Sequence, residues 1–463
     1  MSAARLSPRT FGLISADAVI LYTGVMLALY LRLGIAGSAN ELDAKNGWLK
    51  IALASAVCLL ILYFYDLYDY IVMTNRRELL LRLVQALGIA WVLLAVLFYF
   101  APPLLIGRGV SVISVPIVLT LLLGWRVCIH LLTGHPEIGE KILVVGTGQT
   151  ALDTAEAVWE RRDAGYRIVG FVSENGAKPR TKLGKSEIIG RAIDLEGIIR
   201  NEKIDRVVIA VHERRGAFPT EALLKMSLAG DVSIEECTSF FERITGKVHV
   251  DMLRPSWLIF AGRRRGSPIR VIIRETVHRL LALIGFVFSL PIALVTAIAI
   301  KLESSGPVFY KQERVGKNGQ TFKLYKFRSM KTDAEADGTP IWAATNDERT
   351  TRVGRIIRKT RIDEIPQFWN ILKGEMNFVG PRPERPHFVK QLAIEIPFYE
   401  HRHLVAPGLT GWAQIKYPYG ASVSDAIQKL QYDLYYIKNQ SLALDMMIVV
   451  ETVKTILFGR GGR

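Results

Sequence analysis

Cysteine is scarce in this sequence, in which 463 residues contain three cysteines. Two of them, Cys58 and Cys128, lie in apolar runs. Their number and placement exclude a disulfide framework and a cysteine-based metal site. Internal repeats and low-complexity tracts are lacking as well. We expect the cysteines to be buried packing residues.

Acidic residues are fewer than basic ones, 43 against 59, and the formal net charge is +16. The sequence has no recognisable nucleic-acid module and no lysine-rich tail, so nucleic acid is not the expected partner. Anionic lipid headgroups and the phosphates of nucleotide sugars fit the charge better. The length allows two or three domains. Half of the residues are hydrophobic, which indicates a membrane protein.

Long apolar segments occupy the start of the chain and predict a four-helix transmembrane domain over residues 1–135. Each segment approaches the ~20 residues that a helix needs to cross the hydrocarbon core. The segments are Phe11–Leu31, Leu49–Leu67, Val84–Ala101 and Val110–Leu132. Arginines before the first segment and between the second and third mark the cytoplasmic side. Four spans would return the rest of the chain to the cytoplasm.

Strand and helix patterns alternate over residues 136–262 and predict a Rossmann-like α/β domain with a parallel sheet. The turn after the first strand has the dinucleotide-binding pattern G-x-G-x-x-A, made by Gly146, Gly148 and Ala151. The acidic residue expected about 20 residues later has only a displaced candidate, Glu174. Either this turn binds a nucleotide, or the domain is a degenerate fold used for regulation or assembly. We favour the second interpretation.

The apolar run Leu280–Ile300 has basic residues on both flanks. A spanning helix would carry one of these flanks to the wrong side of the membrane. Pro291 lies in the middle of the run and removes a backbone hydrogen bond, and Ser289 is placed to satisfy a freed carbonyl. We therefore predict a re-entrant helix over 276–300, which anchors an α-rich catalytic domain of residues 263–463.

The stretch Arg358–Pro386 combines the groups of a phosphate site. Asp363 and Glu364 precede a short helix signal near Pro366, so both carboxylates lie at the positive end of a helix dipole. The turn G-P-R-P returns Arg382 toward the same place. This combination predicts phosphoryl chemistry with a metal ion. By residue type alone, however, a capped helix start with surface ion pairs is the simpler interpretation.

A resemblance to a known family favours the phosphoryl chemistry over the capped helix start. The pattern R-x-D-E-x-P-Q-x-x-N-x-x-x-G-x-M-x-x-V-G-P-R-P resembles the signature of the bacterial sugar transferases, also called monotopic phosphoglycosyl transferases. Four more motifs match in the family's order: Y-K-Q-E-R-V-G-K-N-G from Tyr310, Y-K-F-R-S-M-K-T-D-A from Tyr325, P-G-L-T-G-W-A-Q from Pro407 and Y-D-L-Y-Y-I-K-N from Tyr432. Upstream, F-F-E-R-I-T-G-K-V and R-P-S-W-L-I-F resemble large members of the undecaprenyl-phosphate glucose phosphotransferase type, in particular those associated with the exosortase system.

The resemblance implies a reaction. A sugar-1-phosphate, with glucose-1-phosphate our choice, would move from a UDP-sugar to undecaprenyl phosphate, releasing UMP, as the first membrane step of exopolysaccharide biosynthesis. Asp363 would form the covalent phosphosugar intermediate and bind Mg²⁺, and Glu364 would orient the metal or assist deprotonation. Arg358 and Arg382 would bind phosphate, as guanidinium groups do bidentately.

Other polar residues of this region have open roles. Lys326 and Arg328 either bind the polyprenol phosphate or tie their strand to anionic lipid. Asp333 is a second, weaker candidate for a metal ligand. His401 and His403 form an H-x-H pair, but no third ligand of suitable spacing is nearby, so a structural or surface role is favoured.

The expected protein is thus a membrane protein of mixed α and α/β class. It would lie in the bacterial inner (cytoplasmic) membrane, with its catalytic domain on the cytoplasmic face. Its partners would be a UDP-sugar, undecaprenyl phosphate and the lipid bilayer, and homodimer formation is left open. The alternative is an NAD-dependent nucleotide-sugar dehydratase or epimerase. That chemistry usually relies on Y-x-x-x-K, and no lysine here has a tyrosine four residues before it.

Overall fold

The computed structural model describes residues 8–44, 46–65, 67–68, 76–133, 140–161, 165–174, 181–211, 220–230, 232–250, 268–332, 349–417, 420 and 422–457. Contacts divide the chain into two compact units, one within Arg5–Cys237 and the other within Thr238–Arg463. Residues 238–250 are thereby grouped with the C-terminal part of the chain. The domain boundaries at 135/136 and 262/263 stay predictions.

Long helices begin the chain, as the apolar segments predict. They are α1 (Pro8–Ala44), α2 (Gly47–Phe64), α3 (Arg76–Phe100) and α4 (Arg108–Thr133). Each contains a segment that is long and apolar enough to cross a membrane, and a fifth such segment among the described residues is Ile269–Glu303. These are the helices of a membrane protein. The number of helices that cross the bilayer stays a prediction.

Helix α1 is longer than the predicted first span, Phe11–Leu31, because it continues to Ala44. Gly34 interrupts its helical geometry with a φ of 70°, a conformation that glycine adopts without a steric penalty. Beyond this break the helix resumes, and Glu41 accepts a hydrogen bond from Lys50 of α2 at 3.2 Å. The end of α1 is therefore fastened to the start of α2.

The N-terminal helices share one apolar core, to which all four contribute buried side chains. Helices α1 and α4 approach closely at Gly24, where an added Cβ would lie 2.9 Å from Val118. Between the same two helices, Arg126 donates a hydrogen bond to Asp17 at 2.5 Å. Asp17 is fully buried and Arg126 is 3% exposed. An ion pair shielded from solvent thus joins α4 to α1.

The α/β part of the first unit is built on a six-stranded sheet in the order β3-β4-β2-β1-β5-β6. The strands are β1 (Glu140–Val145), β2 (Tyr166–Ser173), β3 (Lys182–Leu183), β4 (Ser186–Arg191), β5 (Arg206–Ile209) and β6 (Ser233–Glu236), and the helices are α5 (Gln149–Glu160), α6 (Leu195–Glu202) and α7 (Thr220–Ala229). All pairings are parallel except that of β3 with β4. The Rossmann-like domain is confirmed, although the sequence did not predict β3 and β4.

In the glycine turn after β1, the backbone conformation and the close packing at Gly146 both require glycine. Gly146 has a φ of 121°, and a Cβ there would lie 3.2 Å from the backbone of Ala210, which follows β5. Gly148 precedes α5 and has open space around it. Glu174 directly follows β2, the place where dinucleotide folds hold their acidic residue. The preference for a degenerate fold over nucleotide binding by Gly146, Gly148 and Ala151 stays a prediction.

The second unit is rich in helices, as predicted. Its helices are α8 (Cys237–Thr245), α9 (Pro268–Glu303), α10 (Arg352–Lys359), α11 (Gln367–Lys373), α12 (Pro386–Glu395), α13 (Trp412–Lys416), α14 (Val423–Lys438) and α15 (Leu442–Leu457). Its strands form two pairs: β7 (Phe309–Val315) with β8 (Thr321–Phe327), antiparallel, and β9 (Asn377–Val379) with β10 (Gly408–Thr410), parallel. Apolar side chains of α12, α14 and α15 form a core of this unit.

Helix α9 extends beyond the predicted re-entrant segment 276–300 at both ends and contains Pro291 in its interior. The hydroxyl of Ser289 donates to the carbonyl of Phe286 at 2.9 Å. Pro291 deprives the carbonyl of Val287 of its helical donor, since that carbonyl lies four residues earlier. Ser289 therefore satisfies a neighbouring carbonyl, and the predicted rescue of the freed one is wrong.

The cysteines differ in burial. Cys58 and Cys237 are buried, as expected, whereas Cys128 is exposed. The expectation for Cys128 is wrong because it lies on α4, an apolar helix whose outer side chains need no protein neighbours.

We predict that the Asp17–Arg126 pair stabilises the N-terminal helices chiefly by mutual neutralisation. Arg126→Met should cost about 3–5 kcal/mol of stability, because it leaves an unpaired buried carboxylate. The double variant Asp17→Leu/Arg126→Met should recover most of this loss. Thermal unfolding of the detergent-solubilised protein measures both effects.

The exposed pair Arg200–Glu196 of α6 is the matched control for this experiment. Arg200→Met should change stability by less than about 1 kcal/mol. A double variant at 17 and 126 that is no more stable than Arg126→Met would contradict the prediction.

Candidate active site

The two adjacent carboxylates lie on a 3-10 turn, Ile362–Glu364, between α10 and α11. Arg361 directly precedes this turn. Its φ of 60° lies in the left-handed region that residues other than glycine rarely adopt. Pro366 directly precedes α11, and Gly374 ends that helix with a φ of 82°. The short helix predicted after the carboxylates is confirmed.

Asn370 of α11 fixes this helix to β8. Its Oδ1 accepts from the backbone N–H of Tyr325 at 3.1 Å, and its Nδ2 donates to the carbonyl of Lys323 at 2.8 Å. The side chain is fully buried, so its polar atoms depend on these protein partners for hydrogen bonds. The turn with the carboxylates is thereby held against β8, the strand that carries Lys326.

Glu364 is the anchor of the site. Its Oε1 accepts from Arg382 at 2.7 Å, and Lys326 and Arg361 lie 3.4 and 3.6 Å from the same oxygen. The residue is 8% exposed. Burial alone would raise the pKa of Glu364, but the surrounding cations, Arg382 foremost, hold that pKa well below its ordinary value. Glu364 is therefore a permanent carboxylate.

Asp363 has a different environment, although it is the next residue. It is 7% exposed, and the Nζ of Lys326 lies 3.9 Å from its Oδ2. Burial raises the pKa of Asp363, Lys326 opposes the shift, and the charge of Glu364 adds to it. The pKa values of the two adjacent carboxyl groups are thus shifted in opposite directions. Asp363 has the more basic carboxylate and is less firmly paired.

Arg382 is held on its other side as well. It follows β9, and its Nη1 donates to Oε1 of Gln414 at 3.1 Å. Its backbone carbonyl accepts from Arg402 at 3.0 Å, and the buried Arg402 is paired with Asp433 at 2.9 Å. The charge of Glu364 raises the pKa of Arg382, so the guanidinium remains charged.

Lys326 completes the cluster from β8. Burial lowers its pKa, and the carboxylates of Glu364 and Asp363 oppose that shift. The site thus contains two buried carboxylates and three partly buried cations, a composition suited to binding an anionic phosphate group.

Comparison with known proteins identifies the family. A family model described as bacterial sugar transferase matches residues 269–459, which include α9 and the whole carboxylate site. The exopolysaccharide production protein PSS of Rhizobium leguminosarum bv. phaseoli is 42% identical over 171 residues, 35% of this chain and 84% of that protein. The chain belongs to the bacterial sugar transferase family.

Two further relatives align over longer stretches. UDP-N-acetylgalactosamine-undecaprenyl-phosphate N-acetylgalactosaminephosphotransferase of Aeromonas hydrophila is 44% identical over 261 residues, 56% of this chain. Undecaprenyl-phosphate glucose phosphotransferase of Komagataeibacter xylinus is 31% identical over 345 residues, 72% of this chain. The alignments span 61% and 62% of these relatives' own lengths. A second family model, described as CoA-binding domain, matches residues 63–217.

The structure brings together only part of the site proposed for this family member from its sequence. Asp363, Glu364, Lys326 and Arg382 meet, whereas Arg358 donates from α10 to the hydroxyl of Thr350 at 3.1 Å. Arg361 is the arginine that approaches Glu364. The sequence analysis missed it, although its i,i+3 spacing from Glu364 was the available signal. Gln414 was missed as well.

Arg328 lies at the end of β8 but is turned toward α9. Its guanidinium donates to the carbonyls of Ser305 and Ser304, at 2.6 and 2.9 Å, and it is 6% exposed. Nearby, the carboxylate of Glu303 accepts from the backbone N–H of Arg352, the first residue of α10, at 2.6 Å. The end of α9 is therefore tied both to the strand and to the helix that frame the carboxylates.

Metal ligands are sparse in this site. No group of three or more His, Cys, Asp and Glu side chains that could hold a metal occurs among the described residues. Asp333 lies outside those residues. His403 has a pKa lowered to about 4, by burial first and by the neighbouring Arg402 second, so it is neutral at pH 7. Asp363 is the residue whose carboxylate fits a hard cation best, because its partner Lys326 is 3.9 Å away.

Proposed function

We propose that the protein transfers a sugar-1-phosphate from a UDP-sugar to undecaprenyl phosphate and releases UMP. The observation that carries this proposal is the buried Asp363–Glu364 pair, with its opposed pKa shifts and its three cations. Two relatives are named undecaprenyl-phosphate sugar phosphotransferases, which supports the acceptor. Membership of the family leaves the dehydratase or epimerase alternative without support.

The chemistry proceeds in two displacements. An Asp363 oxygen attacks the phosphorus that bears the sugar, and the bond from this phosphorus to the oxygen bridging it to UMP breaks. UMP leaves with that oxygen. A phosphate oxygen of undecaprenyl phosphate then attacks the same phosphorus, which frees the Asp363 carboxylate and forms the lipid diphosphate sugar. Covalent catalysis of this kind replaces one difficult transfer by two easier ones.

The two carboxylates divide the work between them. Asp363 is the nucleophile because it is the more basic and the less firmly paired group. Glu364 holds Arg382 and Lys326 in place, and these cations offset the charge of the diphosphate during attack. When Mg²⁺ is bound, it supplies further charge neutralisation at the phosphate oxygens, and Asp363 is the residue that would hold it.

The identity of the sugar is a choice between two candidates. Glucose is the expectation from the large members of the family. N-acetylgalactosamine is favoured by the higher identity, 44% over 261 residues, to the relative named for that sugar. Both donors belong in the first assay.

The membrane arrangement is also a proposal. The first four long helices cross the inner membrane, and α9 enters and leaves through the cytoplasmic leaflet, with the site on the cytoplasmic face where nucleotide sugars occur. The basic residues on both flanks of the apolar run support the re-entrant course.

The proposed reaction predicts UMP release by the solubilised full-length protein supplied with undecaprenyl phosphate, Mg²⁺ and either UDP-glucose or UDP-N-acetylgalactosamine. A chelator should abolish release, and Asp363→Asn should lower the rate by about a thousandfold or more, since it removes the nucleophile. Asp194→Asn, at an exposed position before α6, is the control. Failure of folded protein to release UMP from any UDP-sugar would refute the function.

The opposed pKa shifts predict how the acid limb of kcat/KM moves, because activity requires ionised Asp363. Glu364→Gln removes a charge that raises the pKa of Asp363, so the limb should move to lower pH. Lys326→Met removes a charge that lowers this pKa, so the limb should move to higher pH. Shifts in the same direction would show that another group controls the limb.

The re-entrant course of α9 predicts that both of its ends face the cytoplasm. In a variant without the three native cysteines, Arg270→Cys and Gln320→Cys should each react with an impermeant maleimide in inverted membrane vesicles. Neither should react in intact spheroplasts. Labelling of the two positions from opposite sides of the membrane would establish a spanning helix instead.

A further inference from the structure

Residues 238–250 lie outside both family matches, which cover 63–217 and 269–459. They nevertheless belong to the compact unit that contains the carboxylate site. We call these residues the upstream segment. It consists of α8 from its second residue and the five residues that follow this helix.

Several contacts hold the upstream segment on α14. Glu242 accepts from Lys438 at 2.6 Å, and the backbone N–H of Val248 donates to the carbonyl of Gln431 at 3.0 Å. Val248 and Val250 are both less than 5% exposed and lie in the core of α12, α14 and α15. The upstream segment is therefore an integral part of this unit and contributes to its core.

The most specific contact is between Gly246 and Trp412. The indole N–H of Trp412 donates to the carbonyl of Gly246 at 2.7 Å, and the indole stacks on Tyr435 with ring centroids 5.8 Å apart. Gly246 has a φ of 69°, and a Cβ there would lie 3.0 Å from the Trp412 ring. Only glycine meets both demands, the backbone conformation and the close approach.

Trp412 opens α13, and the same short helix carries Gln414, whose side chain accepts from Arg382. Arg382 in turn donates to Glu364. An unbroken series of contacts thus leads from the upstream segment to the guanidinium beside the carboxylates. Each link is a direct hydrogen bond or lies within a single helical turn, so the series has no gap.

We propose that the upstream segment is a positioning element of the active site, which sets the geometry of Arg382 through Trp412 and Gln414. The proposal rests on the proposed function, because the role of Arg382 in binding the diphosphate is part of it. It assigns Gly246 and Trp412 to the transferase machinery as positioning residues that do not touch the substrate.

The test is a double-mutant cycle in the full-length protein, measured as kcat/KM for UMP release. Trp412→Phe removes the indole N–H and keeps a stacking ring, and it should lower kcat/KM by roughly fivefold to tenfold, the worth of one hydrogen bond. In an Arg382→Lys background the same substitution should have little further effect, because the two residues act in series. A purely structural role for Trp412 would give the full loss in both backgrounds.

Two other variants complete the design. Trp159→Phe, the same chemical change in the α/β part of the chain, is the control and should leave kcat/KM unaltered. Lys438→Met breaks the link to Glu242 at a partly exposed position, and its smaller loss should also vanish in the Arg382→Lys background. It serves as the test if Trp412→Phe does not fold, as judged by thermal unfolding.

The outcomes separate this proposal from the proposed function. No UMP from the unaltered protein would overturn both. Normal UMP release that Trp412→Phe and Lys438→Met leave unchanged, or losses that persist undiminished with Arg382→Lys, would overturn the positioning role alone.

Discussion

The hydrogen-bonded ion pair between Arg382 and Glu364 is the interaction on which the candidate site depends. Two adjacent carboxylates cannot both remain ionised in a buried pocket unless cations offset their charge. Arg382, Lys326 and Arg361 converge on the same oxygen of Glu364 and provide this offset. Asp363 is thereby left as the carboxylate with a raised pKa. Glu364 is thus a stable anion, and its neighbour Asp363 is the reactive carboxylate.

The rest of the second unit serves this arrangement. Asn370 fastens the carboxylate turn to β8, and Arg328 and Glu303 fasten β8 and α10 to the end of α9. An added Cβ at Gly285 of α9 would lie 2.8 Å from the ring of Phe368 on α11, so these helices are in close contact. The turn that carries the carboxylates is therefore connected to the long apolar helix α9 through α11, which directly follows it. In a transferase with a lipid acceptor, this construction would keep the site at the membrane.

Much of the fold and part of the candidate site could be predicted from the sequence, because they depend on local sequence patterns. Hydrophobic runs, the strand–helix alternation and the D-E-x-P-Q segment each depend on residues that are close together in the chain. Asp363, Glu364 and Arg382 could be brought together because they lie in one segment that the family signature covers, whereas the sequence did not place Lys326 beside the two carboxylates. Long-range contacts were not accessible in this way. Nothing in the spacing shows that Arg358 bonds Thr350, or that Arg328 turns to the carbonyls at the end of α9.

The contact of Gly246 with Trp412 is the clearest example of this limit, since 166 positions separate the two residues. A glycine between a helix and a lysine resembles any helix end. Its backbone conformation and its close approach to an indole become evident only in the folded chain. The exposed Cys128 has a similar explanation, because an apolar sequence does not tell which side of a membrane helix faces the protein.

Covalent attachment of the sugar phosphate to Asp363 is the central claim of this account. Its most direct test is intact-protein mass spectrometry after brief incubation with the active UDP-sugar and Mg²⁺ in the absence of undecaprenyl phosphate. We predict a mass increase of one sugar phosphate, mapped by peptide analysis to Asp363, which disappears when the lipid is added. An unmodified protein that still releases UMP once lipid is present, or a modification on Glu364, would contradict the account.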